Sequence, residues 1–364
     1  LYLKKQVTSK DLTNSKLNRN IQNNKFIQES DSSFYFPNVN DVFGETGNLS
    51  DSIPKFEKRN NQIKYIEFLD DSMHQENSIG IIEAGTGLGK SFAYLYEAMK
   101  YVYESEENIP VVISCHTKSL QDQLFYKDLP VLAQSIGNPI SAVKLKGRAN
   151  YICLSRLNWL ISEASGILND EEAAYLLPLI FWLEWTKTGD LEECSGFTNS
   201  RNFRIHKMIR SEPGFCTTHI CSKYDGCFLG KVRKNIFKTD LIIINHALLL
   251  SDVVNPGLLP PFKTLIVDEA HNLIDAAFTQ FSQNIDFALF KSNLLVCQPK
   301  FSGNRRWKNS LKSFYENIPE LKNNVSDIDQ SIDTAIDAVE IFFSQLAIEY
   351  GSRYSIDSPY VQKI

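Results

Sequence analysis

No apolar run in this chain approaches the roughly 18 to 20 residues that a membrane-spanning helix requires. The first ten residues, LYLKKQVTSK, also lack the apolar core of a signal peptide. A spanning helix is excluded, and a cytoplasmic protein with no membrane partner is expected. A surplus of charge is missing too. The net charge is −5, so contact with a nucleic-acid backbone has to come from local basic patches rather than from global attraction. There are only seven cysteines in 364 residues, and none is paired at the two-residue gap favoured by structural zinc. In a reducing compartment such thiols point to metal binding or burial rather than disulfides. Leu stands first instead of Met, which suggests a fragment. Apolar residues are abundant at 43%, enough for a core, and the length suggests two or three domains.

The most informative stretch is IGIIEAGTGLGKSFAYLYEAMK, Ile79 to Lys100. Its apolar start, Ile79 to Ile82, predicts a buried strand, Ala84 to Ser91 a glycine-rich turn, and Phe92 to Lys100 a helix. Strand, turn and helix in this order form a phosphate cradle. Gly85, Gly87 and Gly89 let the backbone turn its N–H groups inward, and the helix start adds its positive dipole end. Lys90 would reach the β- and γ-phosphates, and Ser91 would hold Mg²⁺. Upstream, Phe56, Arg59 and Gln62 sit three apart at the start of a helix predicted to end near Leu69. They would share one face, with the Gln62 amide able to pair with both a donor and an acceptor on an adenine edge. Arg and Gln on a helix are ordinarily just solvated, so position ahead of the cradle gives this trio its meaning.

Further along, Pro110 to Cys115 predicts a strand, followed by HTKSLQDQLFYKDL at helical spacing. The loop between them, with Thr117 and Lys118, suits a second phosphate, although simple N-capping explains it as well. In KLKGRANY, the bases Lys144, Lys146 and Arg148 flank a glycine and precede Tyr151, the interleaving a single strand needs for phosphates and bases. A solvated basic loop is the alternative. Ser162 to Glu193 is acidic and helical, a packed insert that would repel phosphates. Arg201 to Lys238 is basic and would attract them.

Cys216, Cys221 and Cys227 follow one another at intervals of five and six positions inside that basic stretch, with Cys153 as a remote fourth member. Thiolates so gathered bind Zn²⁺ or an iron–sulfur cluster, and the wide, unequal gaps favour the cluster. Cys194 could replace Cys153, while Cys115 and Cys297 read as buried thiols. Leu241 to Ile244 and Thr264 to Val267 are two more apolar strands. The second ends in Asp268, Glu269, Ala270 and His271. An Asp there meets nucleotide-bound Mg²⁺, the Glu orients or deprotonates the attacking water, and His271 senses the γ-phosphate.

Taken in order, Phe56/Arg59/Gln62, the run Ala84, Gly85, Thr86, Gly87, Leu88, Gly89, Lys90, Ser91, then HTKSLQDQL, KGRANYIC, the three later cysteines, INHALL and VDEAH closely resemble the DinG branch of the XPD-like superfamily 2 DNA helicases. The resemblance covers about Phe56 to Ile274. It implies an α/β fold: a RecA-like P-loop NTPase motor domain with an inserted iron–sulfur domain and the start of a helical arch domain. The implied organisation is a linker or tail over 1–52, motor domain 1 over 53–150, the iron–sulfur insertion over 151–238, the DEAH part over 239–277 and the start of the arch over 278–364, where Ile328 to Tyr350 predicts a helix. The implied cofactors are ATP, Mg²⁺ and a 4Fe-4S cluster on Cys153, Cys216, Cys221 and Cys227. Single-stranded and forked or structured DNA are the implied partners of a monomer that moves 5′ to 3′, unwinds duplexes and serves DNA repair. A second motor domain is missing from the sequence, so the isolated chain is expected to bind nucleotide weakly and not to unwind. A nucleic-acid-dependent ATPase without unwinding, or a metal-bearing DNA-binding module, are the alternatives. Arg148→Ala is expected to weaken single-strand binding.

Overall fold

The computed structural model describes residues 24–25, 35–54, 56–85, 87–105, 107, 109–138, 140–198, 203–216, 221, 226–282, 287–297 and 318–353. Leu1–Ala164 with Leu168–Gln280 form one compact unit, and Ser165–Ile167 with Phe281–Ile364 a second. Residues 151–238 lie in the first unit, apart from Ser165–Ile167.

The first unit is built on a five-stranded sheet of β1 (Asn24–Lys25), β2 (Val111–Cys115), β3 (Ser141–Lys144), β4 (Leu241–Asn245) and β5 (Thr264–Val267), in the order β1-β3-β4-β2-β5. All pairs are parallel except β1 with β3. The runs VVIS and LIII are apolar at every position because both faces of a parallel sheet are covered. Pleating sends Val111, Ile113, Leu241 and Ile243 to one layer and Val112, Ile242 and Ile244 to the other. The first layer is filled by α1 (Asn60–His74), α2 (Lys90–Glu104) and, after α3 (Lys118–Gln123), by α4 (Leu129–Ile136). α2 is buried without interruption from Ala93 to Met99, as a helix wedged between sheet and neighbours must be. The opposite layer takes Leu229 and Val232 of α6 (Phe228–Asn235), which follows α5 (Leu154–Ile167), and Leu248 and Leu249 of α7 (His246–Val254).

Asp70 and His74 of α1 meet Lys100 and Glu104 of α2. Asp70, His74 and Glu104 could each offer a ligand atom to one ion, all within 4.8 Å of one another. Lys100 already supplies a cation there, with Nζ 2.7 Å from Asp70 Oδ1.

Three expectations need correction. Ile79 to Ile82 forms no strand. It runs as unpaired chain with Ile79 and Ile81 almost fully exposed at 89% and 88%. An all-apolar strand needs neighbours along both edges and cover on both faces. β5 is the last strand on its side, and the described residues provide neither. Phe56 precedes α1 instead of sharing its face, because the helix starts only after Arg59, its N-cap. The helix also continues to His74, beyond Leu69.

After α8 (Leu273–Phe281), the second unit pairs α9 (Phe287–Cys297) with the long α10 (Pro319–Arg353), Phe287 and Phe290 lying 5.9 and 6.2 Å from the Phe343 ring. The side chain of Cys297 lies outside the described residues.

Candidate nucleotide and thiol sites

The glycine-rich turn enters α2 through Gly89, whose φ of +84° is the left-handed geometry that glycine adopts without strain. Gly87 is left-handed as well, at +81°. Two side chains of the α1 start hold this turn by its carbonyls. Arg59 Nη1 donates to Gly87 O, and Gln62 Nε2 donates to Gly89 O at 2.9 Å. Ala84 and Leu88 pack against the core beside Phe56, Gly85 is exposed, and Thr86 lies outside the described residues.

The turn meets the end of β5, far away in sequence. Lys90 Nζ lies 3.0 Å from Glu269 Oε1, and this ammonium holds the Glu269 carboxyl below the usual carboxylate range. His271 Nδ1 is 3.5 Å from the other Glu269 oxygen. Asp268 is buried, its N–H donating to Ser114 O at 2.8 Å in continuation of the β2–β5 ladder. Glu269 itself has φ +53°, a strained value for a residue with a side chain. Tyr94, which the sequence reading missed, donates its hydroxyl to Asp268 Oδ2 at 3.0 Å. Burial and the Asp268 charge push the Tyr94 phenol well above its ordinary value and that of Tyr65 up to about 12. Ser91 at the start of α2 and Asp268 at the end of β5 both offer oxygens, the ligand type that suits a hard cation such as Mg²⁺. Tyr94 follows Lys90 by four positions, so helical spacing is the signal that finds it.

The residues expected to touch DNA divide. Thr117 caps α3, its Oγ1 accepting from Leu120 N at 3.1 Å. Lys118 reaches Asn150 Oδ1 at 2.7 Å and pairs with Glu192. Arg148 is half-buried in a short turn. Lys146 and Tyr151 are interior, each only 3% exposed. Lys146 Nζ is 2.6 Å from Asp190 Oδ2 and 3.0 Å from Glu192 Oε2, and Tyr151 Oη accepts from the Lys146 N–H. Charge pairing raises the Lys146 pKa despite its burial. A strand-facing role for these two is thus corrected: the acidic segment Asp190–Glu193 folds onto the basic one and neutralises it. Glu172 likewise pairs with Arg204.

Cys153, Cys216, Cys221 and Cys227 share one electrostatic neighbourhood. Burial, followed by the charges of Cys227, Cys216 and Cys153, pushes the Cys221 thiol up to about 11. Burial raises Cys153, with Cys216 and Cys227 adding to it. Cys153 begins α5 and its N–H donates to Ile209 O at 2.7 Å, while Cys227 Sγ caps α6. Among the described residues no three of these sulfurs lie within 4.8 Å of one another. Arg233 feels the charges of Cys216 and Cys227, and Arg148 lies near enough to Arg233 to lower its pKa, after burial as the larger cause. Arg156 props the same corner, bonding Glu212 at 2.7 Å and lying 4.6 Å over the Phe215 ring. Cys194 is buried against the Phe197 backbone, and Cys115 is a buried thiol raised to about 12 by burial.

Residues 55–153 match the family model described as type III restriction enzyme, res subunit. The chain is 35% identical over 257 residues to the ATP-dependent DNA helicase YoaA of Haemophilus influenzae, covering 69% of this chain and 38% of that protein. It is 32% identical over 252 residues to YoaA of Escherichia coli, covering 68% and 38%. With the 3'-5' exonuclease DinG of Staphylococcus aureus it shares 30% over 226 residues, 62% of this chain and 24% of that protein.

Proposed function

Since this chain belongs to the DinG-like superfamily 2 helicases, we propose that it supplies the ATP-hydrolysing motor and strand guide of a 5′ to 3′ DNA helicase acting on single-stranded and forked or structured DNA. The aligned part of the chain spans about two fifths of the YoaA relatives it matches, 38% of each, so the activity proposed is that of the full-length protein. The observation carrying the reading is the 3.0 Å approach of Lys90 to Glu269, which joins a phosphate loop to an acidic strand end.

In the proposed cycle Lys90 would leave Glu269 for the β- and γ-phosphates, Ser91 and Asp268 would hold Mg²⁺, which when bound would neutralise phosphate charge, and the freed Glu269 would take the proton of the attacking water. His271, already beside Glu269, would sense the γ-phosphate. Arg59 and Gln62 keep the loop in shape while Phe56 and Gln62 border the base. Thr117 and Lys118 would meet strand phosphates, and Arg148 would meet them near the thiols. Cys153, Cys216, Cys221 and Cys227 would hold a 4Fe-4S cluster, which when bound would stiffen residues 151–238 into a strand guide. Residues 278–364 would begin the helical arch. A cytoplasmic monomer active in DNA repair completes the proposal; no described helix is long and apolar enough to cross a membrane.

The test is ATP turnover and strand separation by the full-length protein with and without single-stranded DNA. DNA-stimulated turnover abolished in Lys90→Ala is expected, together with about four irons and four sulfides per chain, lost in Cys221→Ser. Zinc without sulfide would overturn the cluster. Stimulated turnover without strand separation would leave an ATPase that remodels DNA instead of unwinding it.

A further inference from the structure

His246 opens α7 and is fully buried, yet only one of its ring nitrogens is satisfied. Nδ1 lies 2.8 Å from Ser114 Oγ, and Nε2 has no hydrogen-bond partner. A neutral imidazole carries one donor and one acceptor. Whichever way the Ser114 hydroxyl points, Nε2 is left with a buried and unused hydrogen-bonding capacity, which proteins rarely tolerate without a use.

The polar groups around the ring suggest that use. On one side is the backbone of Glu269 and Asp268, which acts on the ring as a hydrogen-bond partner and opposes the lowering of its pKa by burial, yet stands short of full hydrogen-bond geometry at Nε2. Ser114, which holds Nδ1, also holds Asp268 through its own carbonyl. On the other side the exposed His116 ring lies 6.0 Å away, centroid to centroid, at the start of the loop that carries Thr117 and Lys118. One buried side chain thus borders both the hydrolytic turn and the loop assigned to strand phosphates. The turn is the strained element between them, with Glu269 left-handed and its carboxylate held by Lys90. A strained turn above an unsatisfied donor or acceptor has a second resting place available to it.

We infer that His246 is a positioning residue that couples the Asp268–Glu269 turn to the His116–Lys118 loop, its Nε2 bonding the backbone of that turn once Glu269 leaves Lys90. This rests on the nucleotide and strand roles proposed above. Ser114 stays bonded to Nδ1 throughout, so movement of the turn tilts the imidazole and is felt at His116. Binding of nucleotide and of single-stranded DNA then favour each other reciprocally.

The experiment uses the full-length protein and measures three quantities: affinity for a non-hydrolysable ATP analogue, affinity for a single-stranded oligonucleotide, and the factor by which each tightens the other. His246→Asn keeps an amide near the Ser114 side and removes the Nε2 side, whereas His246→Gln places an amide near Nε2. The Asn variant is expected to keep each separate affinity within about twofold and to lose at least about fivefold of the mutual tightening, which the Gln variant retains. His116→Ala, a surface change, should lower the tightening in the same direction and add little to His246→Asn. Full mutual tightening in His246→Asn overturns the assignment alone. Equal losses in Asn and Gln variants, with His116→Ala silent, also overturn it and leave a purely structural histidine. A wild-type protein in which neither ligand affects the other overturns the functional reading beneath it.

Discussion

Glu97 of α2 has no exposed surface, and neither of its carboxyl oxygens meets a donor. Lys100, one turn on, gives its ammonium to Asp70 instead. Burial, opposed by Lys100 and reinforced by Asp70 and Glu104, lifts the Glu97 pKa to about 8. The folded protein therefore keeps a proton that the unfolded chain surrenders above its ordinary value of 4.5. Stability falls as pH rises between those values, by at most about 1.4 kcal/mol per pH unit from this one group. Urea denaturation of wild type and Glu97→Gln at pH 5, 6.5 and 8 checks this. The variant is expected to gain on wild type steadily across the series, and a constant gap would refute the assignment. At this scale the sequence was legible where chemistry fixes both residue type and spacing, as at Lys90, Asp268 and Glu269. It was illegible at Lys146 and Tyr151, because their environment is set by Asp190 and Glu192, some forty positions away. Charge pairing at that distance leaves no local pattern. Ser114 and His246 were missed for the same reason: their partners are brought by the fold.

Among elements, the turn between Gly85 and α2 is held more tightly at one glycine than at another. A Cβ on Gly89 would stand 2.4 Å from Gln62 Nε2, in addition to the strain of φ +84°. A Cβ on Gly87, at φ +81°, would meet nothing within 4 Å. Gly87→Ala should therefore cost only the left-handed penalty of roughly 1–2 kcal/mol, while Gly89→Ala should also push Gln62 off the loop. Nucleotide affinity measured by calorimetry is expected to fall about tenfold further in Gly89→Ala than in Gly87→Ala, with partial recovery in Gly89→Ala/Gln62→Ala. Equal losses would show that the Gln62 contact does not matter. The strands at Val111, Leu241 and Thr264 could be read from the sequence because continuous β-branched runs have few other uses. The same logic failed for Ile79–Ile82, because an apolar run is a strand only if the sheet extends to it. β1 and β3 were missed, the first being two residues long and the second having only Ala142 and Val143 as its apolar pair.

For the whole molecule, the division into a sheet-bearing unit and a helical one predicts two thermal transitions, one for each compact unit. Lys90, Ser91, Asp268 and Glu269 all belong to the first. A non-hydrolysable ATP analogue with Mg²⁺ at a hundredfold its dissociation constant should stabilise that unit by about 2.7 kcal/mol and leave the other transition in place. Scanning calorimetry would contradict this if both transitions moved together. At this scale the cysteines and the charge inversion mark 151–238 as an insertion, and all of it but Ser165–Ile167 falls in the sheet-bearing unit. On the cycle proposed above, the ion pair between Lys90 and Glu269 would act as a reset. A carboxylate tethered beside the phosphate loop never has to diffuse to it, so it would compete continuously with a bound nucleotide for the lysine. A triphosphate would win that contest. After cleavage the remaining diphosphate would offer Lys90 fewer oxygens, Glu269 would reclaim it, and the same side chain would hasten the spent nucleotide out.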